Sequence, residues 1–409
     1  MWSVGLGPAP ATTLGYALVG VCLGTVSGLT PGVHANAFAL LLASLAADLP
    51  GPALAVGAAM LAAGVVHTFL DVVPALALGV PDASMAASAL PGHRLVLAGR
   101  GREAPRLSAL GSLAGALAAV PLAVPLTRAA VDLAPALARH LPVVLAGVAA
   151  YLVATESSVR AALAGVLTFA LSTALGAVVL DLSPSAPLPV GSILAPLFAG
   201  LFGAPVLLDA ARGSGDLPAQ RGTALSLPRP ALGLTAGAGA LTGALVAYVP
   251  GVSAGVAATL ALPAAPATHR ARGFVVAQSA ANTATATFAL FALAGLGATR
   301  TGVTVALSEA GVPPLLSTLV PVVALAAATG AVLVVVAGER YLGAVGRADG
   351  ALLAAVVLVG LGVLAGLFAG VVGVGVYLVA GLVGLVPVRL GARRVHLMGV
   401  LLGPLALSL

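Results

Sequence analysis

His67 and Asp71 stand four residues apart inside a long apolar run. On a helix that spacing puts both side chains on one face. Ionisable groups within a membrane-crossing segment are costly and are usually functional. A carboxylate there can bind Na+ or carry a proton, and the imidazole beside it can hold it in place or titrate. The bland alternative places the run slightly shifted, with both groups near an interface. A second polar set, Asn282, Thr283 and Thr285, lies in a later apolar run. It can line a solute path or serve as ordinary interhelical hydrogen bonds in lipid.

Two short stretches could form the rest of a site. Pro31-Gly32-Val33-His34-Ala35-Asn36 and Pro250-Gly251-Val252-Ser253-Ala254-Gly255 each follow an apolar run and open a short apolar segment. Proline lacks an N–H and fixes φ, so it ends the preceding helix. Glycine permits a tight reversal. A helix starting at Val33 or Val252 presents unpaired N–H groups and a positive dipole end, which suits an anion. His34, Asn36 and Ser253 can add side-chain hydrogen bonds. The expected ligand is an anion, most simply a carboxylate, held by Pro31, Gly32, Val33, His34, Asn36, Pro250, Gly251, Val252, Ser253, Gly255, Asn282 and Thr283. Asp71, His67 and Thr285 are the expected coupling-ion residues.

The elements that must position these residues are membrane helices. Of 409 residues, 60% are apolar and 7% charged, against about 25% charged in soluble domains. Runs of roughly 20 apolar residues read as spanning helices, and their continuity excludes a barrel. The fold class is therefore all-α: a polytopic membrane protein of 10–12 transmembrane helices. Spans are expected near 13–30, 53–78, 104–127, 140–155, 161–180, 190–209, 231–249, 273–294, 313–337, 350–368, 371–387 and 396–408. Shorter apolar pieces at 32–47, 82–90, 251–263 and 298–310 lie between them. Basic residues mark inside loops. Placing the loops after residue 90, at 210–230 and near 270, 340 and 389–394 inside leaves Arg128, Arg139 and Arg300 outside. Glu156, Asp181 and Asp209 are expected to face water near span ends. Cys22, the single cysteine, reads as a small core residue.

The two Pro-Gly stretches sit in a duplication. Each is followed by a polar or proline-containing loop and then by a long span with polar residues. Corresponding loops carry opposite charge marks, so the copies are expected to have opposite topology. Gly/Pro-interrupted short segments at matching positions of inverted repeats point to a transporter's binding site. The expected organisation is a first membrane repeat at 1–210, a cytoplasmic linker at 211–230 and a second, inverted repeat at 231–409.

No enzyme constellation is evident: no nucleophile motif places a Ser-His-Asp set, the histidines lack metal-ligand spacing, and no P-loop is present. The net charge of +6 comes from scattered arginines, which is not a nucleic-acid footprint. The sequence reads as a cation-coupled permease for an anionic solute, working by alternating access. No cofactor is expected beyond Na+ or H+ as coupling ion. The expected partners are a small anionic solute and the lipid bilayer, with self-association into a homo-oligomer also open. The expected location is a prokaryotic plasma membrane, crossed many times.

Several motifs carry a family resemblance. Thr30-Pro31-Gly32-Val33, then Gly79-Val80-Pro81, then Gly99-Arg100-Gly101-Arg102-Glu103-Ala104, and finally Gln278-Ser279-Ala280-Ala281-Asn282-Thr283 resemble stretches of the large membrane subunit of the tripartite tricarboxylate transporters, TctA. Gln278 stands where that family has an acidic residue, and Thr283 where it has a second Asn. Gly297-Ala298-Thr299 partly matches a further turn. The chain is most similar to the short prokaryotic branch. The resemblance implies cation-coupled uptake of a carboxylate with a small membrane subunit and an extracytoplasmic solute-binding protein. Pro250-Gly251-Val252-Ser253-Ala254-Gly255 also resembles a motif of proposed polyprenyl-phosphate translocases, so the alternative reading is movement of an anionic lipid carrier.

Overall fold

In hydrocarbon every backbone N–H and C=O must be paired within the chain, which for long apolar runs means helices. A computed structural model describes residues 10–31, 35–46, 49–78, 89–187, 193–212, 218–220 and 224–407, and they form helices and connecting turns only. In chain order these are α1 (Pro10–Leu29), α2 (Ala35–Ala46), α3 (Ala53–Leu70), α4 (Val72–Leu78), α5 (Ala89–Leu97), α6 (Glu103–Ala154), α7 (Val159–Val179) and α8 (Leu194–Phe198). They continue as α9 (Ala204–Arg212), α10 (Arg229–Tyr248), α11 (Ala254–Ala261), α12 (Arg270–Leu296), α13 (Gly302–Glu309), α14 (Leu316–Val345), α15 (Gly350–Leu390) and α16 (Gly399–Leu407). A π-helical turn, Ala199–Gly203, joins α8 to α9. Among the described residues eight segments are long and apolar enough to cross a membrane, so the chain is an all-α polytopic membrane protein.

The expected short segments at 32–47, 251–263 and 298–310 appear as α2, α11 and α13. The piece at 82–90 lies almost wholly outside the described residues. The expected span at 190–209 appears as one continuous helical run from Leu194 to Asp209, in which α8 and α9 flank the π turn; residues 188–192 are not described.

Two expected span pairs come out differently. Residues 350–368 and 371–387 run through one assigned helix, α15, but Ala369 and Gly370 leave helical geometry, with Gly370 at φ 59°. The Tyr377 hydroxyl donates to the Leu358 carbonyl at 3.0 Å. A straight helix would separate those residues by about 28 Å, so α15 is a hairpin and the two spans stand. The break expected between 104–127 and 140–155 does not exist. α6 continues unbroken for 52 residues, about 78 Å. Arg128 and Arg139, expected outside, sit on its surface together with Asp132 and His140. Charged side chains on an exposed helix face reach water without breaking the backbone ladder, and the helix tolerates Pro121, Pro125, Pro135 and Pro142.

Two apolar cores organise the helices. Met60, Phe69, Leu107, Leu290, Leu307 and Val334 belong to the first, which joins α3, the amino half of α6, α12, α13 and α14. Leu145, Leu152, Phe202, Val256, Val376 and Leu402 belong to the second, which joins the carboxyl half of α6, the π turn, α11, α15 and α16. α6 therefore runs from one bundle into the other.

Small residues set the closest contacts, as expected where lipid gives helices no hydrophobic drive to associate. Gly20, Gly24 and Gly28 of α1 lie against Ala59, Ala63 and Leu70 of the α3 side. Gly111 and Gly115 of α6 lie against Val276 and Ala280 of α12, and Gly239 and Gly243 of α10 lie against Ala277 and Ala281 on the same helix. α12 is thus clasped from both sides. A Cβ at Gly115 would collide with the Ala280 backbone. Gly115→Leu should cost about 1–3 kcal/mol or more through overpacking, read as a lower melting temperature of the detergent-solubilised protein. Contacts recur in related pairs: α1 on α3 and α10 on α12, α14 on α3 and α6 on α12, α15 on α9 and α7 on α16. Cys22, expected in the core, is exposed on α1, because the glycine face of that helix is the one turned inward.

The Gly-Arg-x-x-Glu-Ala stretch has a structural role. Glu103 is fully buried at the start of α6. Its carboxylate accepts from Arg272 Nε at 2.9 Å and Nη2 at 3.2 Å, from Arg100 Nε at 2.5 Å and from the Ser226 backbone N–H at 2.8 Å. Gln220 adds a donor bond to the Val96 carbonyl at 3.0 Å and accepts from the Gly101 N–H at 2.6 Å. Arg100, Ser226 and Arg272, from three separate stretches of the chain, meet at this carboxylate.

A second ionic cluster ties the other bundle. Glu156, expected in water, is 3% exposed and is 3.0 Å from Arg393 Nε and 2.7 Å from His396 Nε2. Burial alone would raise its pKa. Hydrogen bonds from the Arg393 backbone and side chain and from His396 nevertheless hold it below the ordinary carboxylate value. A lowered folded-state pKa stabilises at neutral pH, and the contribution fades as pH falls through that lowered value. Asp209 pairs with Arg389 at 3.3 Å, and Asp181 is exposed.

A candidate solute site between two helix bundles

A cavity of about 310 Å³ lies where the two bundles meet. That is the lower end of the range for small-molecule sites, roughly 300–1,000 Å³. Its wall includes Gly64, Thr68 and Asp71 of the α3–α4 segment, Asn282 and Thr285 of α12, and Phe198 and Met398 of the second bundle. Ala35 and the whole stretch Pro250 to Ala254 also line it. The stretch Pro250 to Ala254 and Ala35, the first residue of α2, therefore come to one place.

Local chemistry explains how each group is presented. α1 ends at Leu29, two residues before Pro31. Pro31 is partly buried and is not part of the cavity wall. Gly32, Val33 and His34 lie outside the described residues. Asn36 belongs to α2, but its side chain is outside them. On the other side, α10 ends at Tyr248 and Gly251 turns the chain at φ 84°. Ser253 then caps α11, its hydroxyl accepting from the Val256 N–H at 3.3 Å. Ala254 starts α11 at the cavity wall, and Gly255 is buried one residue further on.

Asp71 sits where α3 passes into α4, its backbone still in the right-handed helical region and its N–H bonded to the His67 carbonyl at 2.9 Å. Pro74 offers no N–H to the Leu70 carbonyl four residues earlier, which removes one bond of the helix at this point. Asp71 is 4% exposed, and Asn282 Nδ2 donates to its Oδ2 at 2.7 Å. Asn282 is twelve residues from Arg270 and fourteen from Leu296, near the middle of α12. Thr68 and Thr283 share a hydrogen bond of 3.1 Å that ties α3 to α12. Thr283 is fully buried and does not reach the cavity. Thr285 lines the cavity, but its hydroxyl donates within 3.1 Å to the Gly243 and Ala281 carbonyls, which leaves only its lone pairs for a ligand.

His67 Nδ1 is 2.9 Å from Ser27 Oγ on α1, and among the described residues His67 is not part of the cavity wall. The i, i+4 spacing aligned the two positions, but α1 and α12 pack on different sides of α3 and each side chain follows its partner.

The sequence reading missed a third element. α13 begins at the cavity: Thr299, Arg300, Thr301 and Val303 line it. Thr301 and Thr304 form a reciprocal capping box. A Thr-x-x-Thr pattern is a faint version of the usual Ser/Thr-x-x-Glu/Gln signal, and in the sequence Arg300 counts only as an outside charge. The described amino ends of α2, α11 and α13 thus all border one cavity, each contributing up to about half a positive charge. One carboxylate, Asp71, is buried at its floor, and Arg300 and Thr299 are exposed at its rim.

At Gly251 an added Cβ would approach Leu405 Cδ1 at 2.8 Å rather than enter the cavity. Gly251→Ala should therefore act through backbone strain of about 1–2 kcal/mol for a left-handed residue and through displacement of α11. The expected result is a lower melting temperature together with weaker solute binding.

A stretch of 104 residues is 38% identical to an uncharacterized protein of Methanocaldococcus jannaschii, covering 24% of this chain and 25% of that one. The chain thus spans about a quarter of that relative's length. No solved structure matches. The tripartite tricarboxylate transporter TctA family matches residues 14–399, nearly the whole length, and the chain belongs to that family.

Proposed function

We propose that the protein is the membrane permease of a secondary carrier that moves a small carboxylate, driven by Na+ or H+. The observation that carries this reading is the shared cavity, where Ala35 and Pro250 to Ala254 face Asp71 and Asn282. Helix amino ends stabilise an anion. Asp71 supplies a buried negative charge for a cation, with Asn282 fixing its orientation. Two cores with a cavity between them suit alternating access by rocking of one bundle against the other. The paired contacts fit two inverted repeats, 1–210 and 231–409, joined by 211–230. They interlock, since α3 packs on α14 and α6 on α12.

The small membrane subunit and the extracytoplasmic binding protein implied by the family are the expected partners, with a prokaryotic plasma membrane as the setting. The test is uptake of labelled carboxylates into proteoliposomes, with and without an imposed Na+ or proton gradient. Gradient-dependent uptake of at least one acid is expected. Absence of such uptake for every acid tried contradicts the proposal.

A further inference from the structure

We infer that Arg394 is a second anion station of the carrier, which holds the solute's carboxylate on the side expected to face the cytoplasm once the cavity has closed to the other side. This rests on the carrier reading above and adds a binding residue to it.

Arg394 is 8% exposed, and its Nε and Nη1 are buried without a hydrogen-bond partner among the described residues. The arginines beside it are engaged. Arg393 Nε is 3.0 Å from the Glu156 carboxylate, and Arg389 Nη2 is 3.3 Å from that of Asp209. Asp209 also acts on Arg394 through its charge, but the hydrogen bond it accepts comes from Arg389. A buried guanidinium with unmet donors is costly. Donors that the chain itself does not satisfy are left for an anion from outside it, and the planar fork of an arginine matches a carboxylate.

The element that carries Arg394 ties it to the cavity. Arg394 opens the 3₁₀ turn Arg394–Met398, and Met398 at the other end lines the cavity. That turn is about 8 Å long, so Arg394 stands one short step behind the wall. The turn packs against α6, α7, α11 and α15, and α11 brings Ser253 and Ala254 to the same cavity. Thr299 and Arg300 are exposed at the rim, and the charge distribution predicts Arg300 outside and residues 389–394 inside. Rocking that closes the rim and shifts the turn against α11 puts the guanidinium in the solute's way out.

The test uses the full chain with Arg394→Met and Arg394→Lys. In detergent without solute, Arg394→Met should melt at or above the native temperature, because an apolar side chain of similar length removes the cost of the unpaired charge. A clearly lower melting temperature means that the chain itself satisfies the guanidinium, and it overturns the inference. Transport is read in right-side-out and inverted membrane vesicles with labelled citrate, succinate and benzoate. For an acid that the native protein carries, Arg394→Met should raise the apparent KM at the cytoplasmic face about tenfold or more, the scale of a lost hydrogen bond to a charged group. The KM at the outer face should stay near the native value, and Arg394→Lys should recover part of the loss. Equal shifts at both faces, or none at either, overturn the inference and leave the carrier reading standing. So does stabilisation of the native protein by phosphatidylglycerol over phosphatidylcholine that Arg394→Met abolishes, since the anion is then a lipid headgroup. No uptake of any acid by the native protein overturns both.

Discussion

Asp71→Asn should reduce gradient-driven accumulation of the solute to the level seen without a gradient, while the protein remains folded. The substitution keeps the volume of the side chain, and its amide oxygen can still accept from Asn282, whose Nδ2 is 2.7 Å from Oδ2 in the native protein. The stability change should stay within about 1 kcal/mol, the scale of one neutral hydrogen bond. What disappears is the only negative charge in the cavity wall among the described residues. Without it neither Na+ nor a proton has a buried partner there. Solute counterflow, which needs no ion gradient, should persist. Two assays on the same proteoliposomes separate the effects. Equal accumulation by both proteins would remove Asp71 from the coupling step.

Glu103→Gln should be the most destabilising conservative change in the chain. Glu103 is fully buried and accepts from two arginines and one backbone N–H. Removing its charge leaves Arg272, itself 16% exposed, beside a neutral amide. Breaking a buried ion pair on one side costs about 3–5 kcal/mol. The carboxylate also joins the start of α6, the start of α12 and residues 224–226, so the loss should loosen three segments together. Thermal melting in detergent and limited proteolysis within 218–226 should both report it. Arg100→Ala should cost less, since Arg100 is 31% exposed and Arg272 remains. Equal melting temperatures for Glu103→Gln and the native protein would contradict this account of the motif.

The membrane helices were legible because hydropathy dictates them directly. α1, α3–α4, α7, α10 and α12 fall within a few residues of their expected ends. The two arms of the α15 hairpin were legible as separate apolar runs, whereas the turn at Gly370, with φ 59°, shows only in the fold. The unbroken α6 was not, since surface charges and prolines in sequence look the same whether they sit in a loop or on an exposed helix. Within the site, Asp71, Asn282 and Pro250 to Ser253 were readable as unusual groups in apolar surroundings. Three things depended on contacts between distant parts of the chain. His67 turned to Ser27, forty residues earlier. Glu103 found Arg272, 169 residues later. Arg300 reached the cavity only because α13 starts there, which a weak capping pattern did not announce. Local signals carry helix ends and buried charges, whereas partners across the fold require the packing itself.

Under the proposed function, the described amino ends of α2, α11 and α13 face one solute. A structure of the protein in lipid nanodiscs, saturated with an acid it transports, tests this most directly. The account predicts the carboxylate between the start of α11 and Arg300, within hydrogen-bond distance of backbone N–H groups or the guanidinium, with Asp71 in the same chamber. An acid bound away from Pro250 to Ala254 and from residues 299–301 would contradict it.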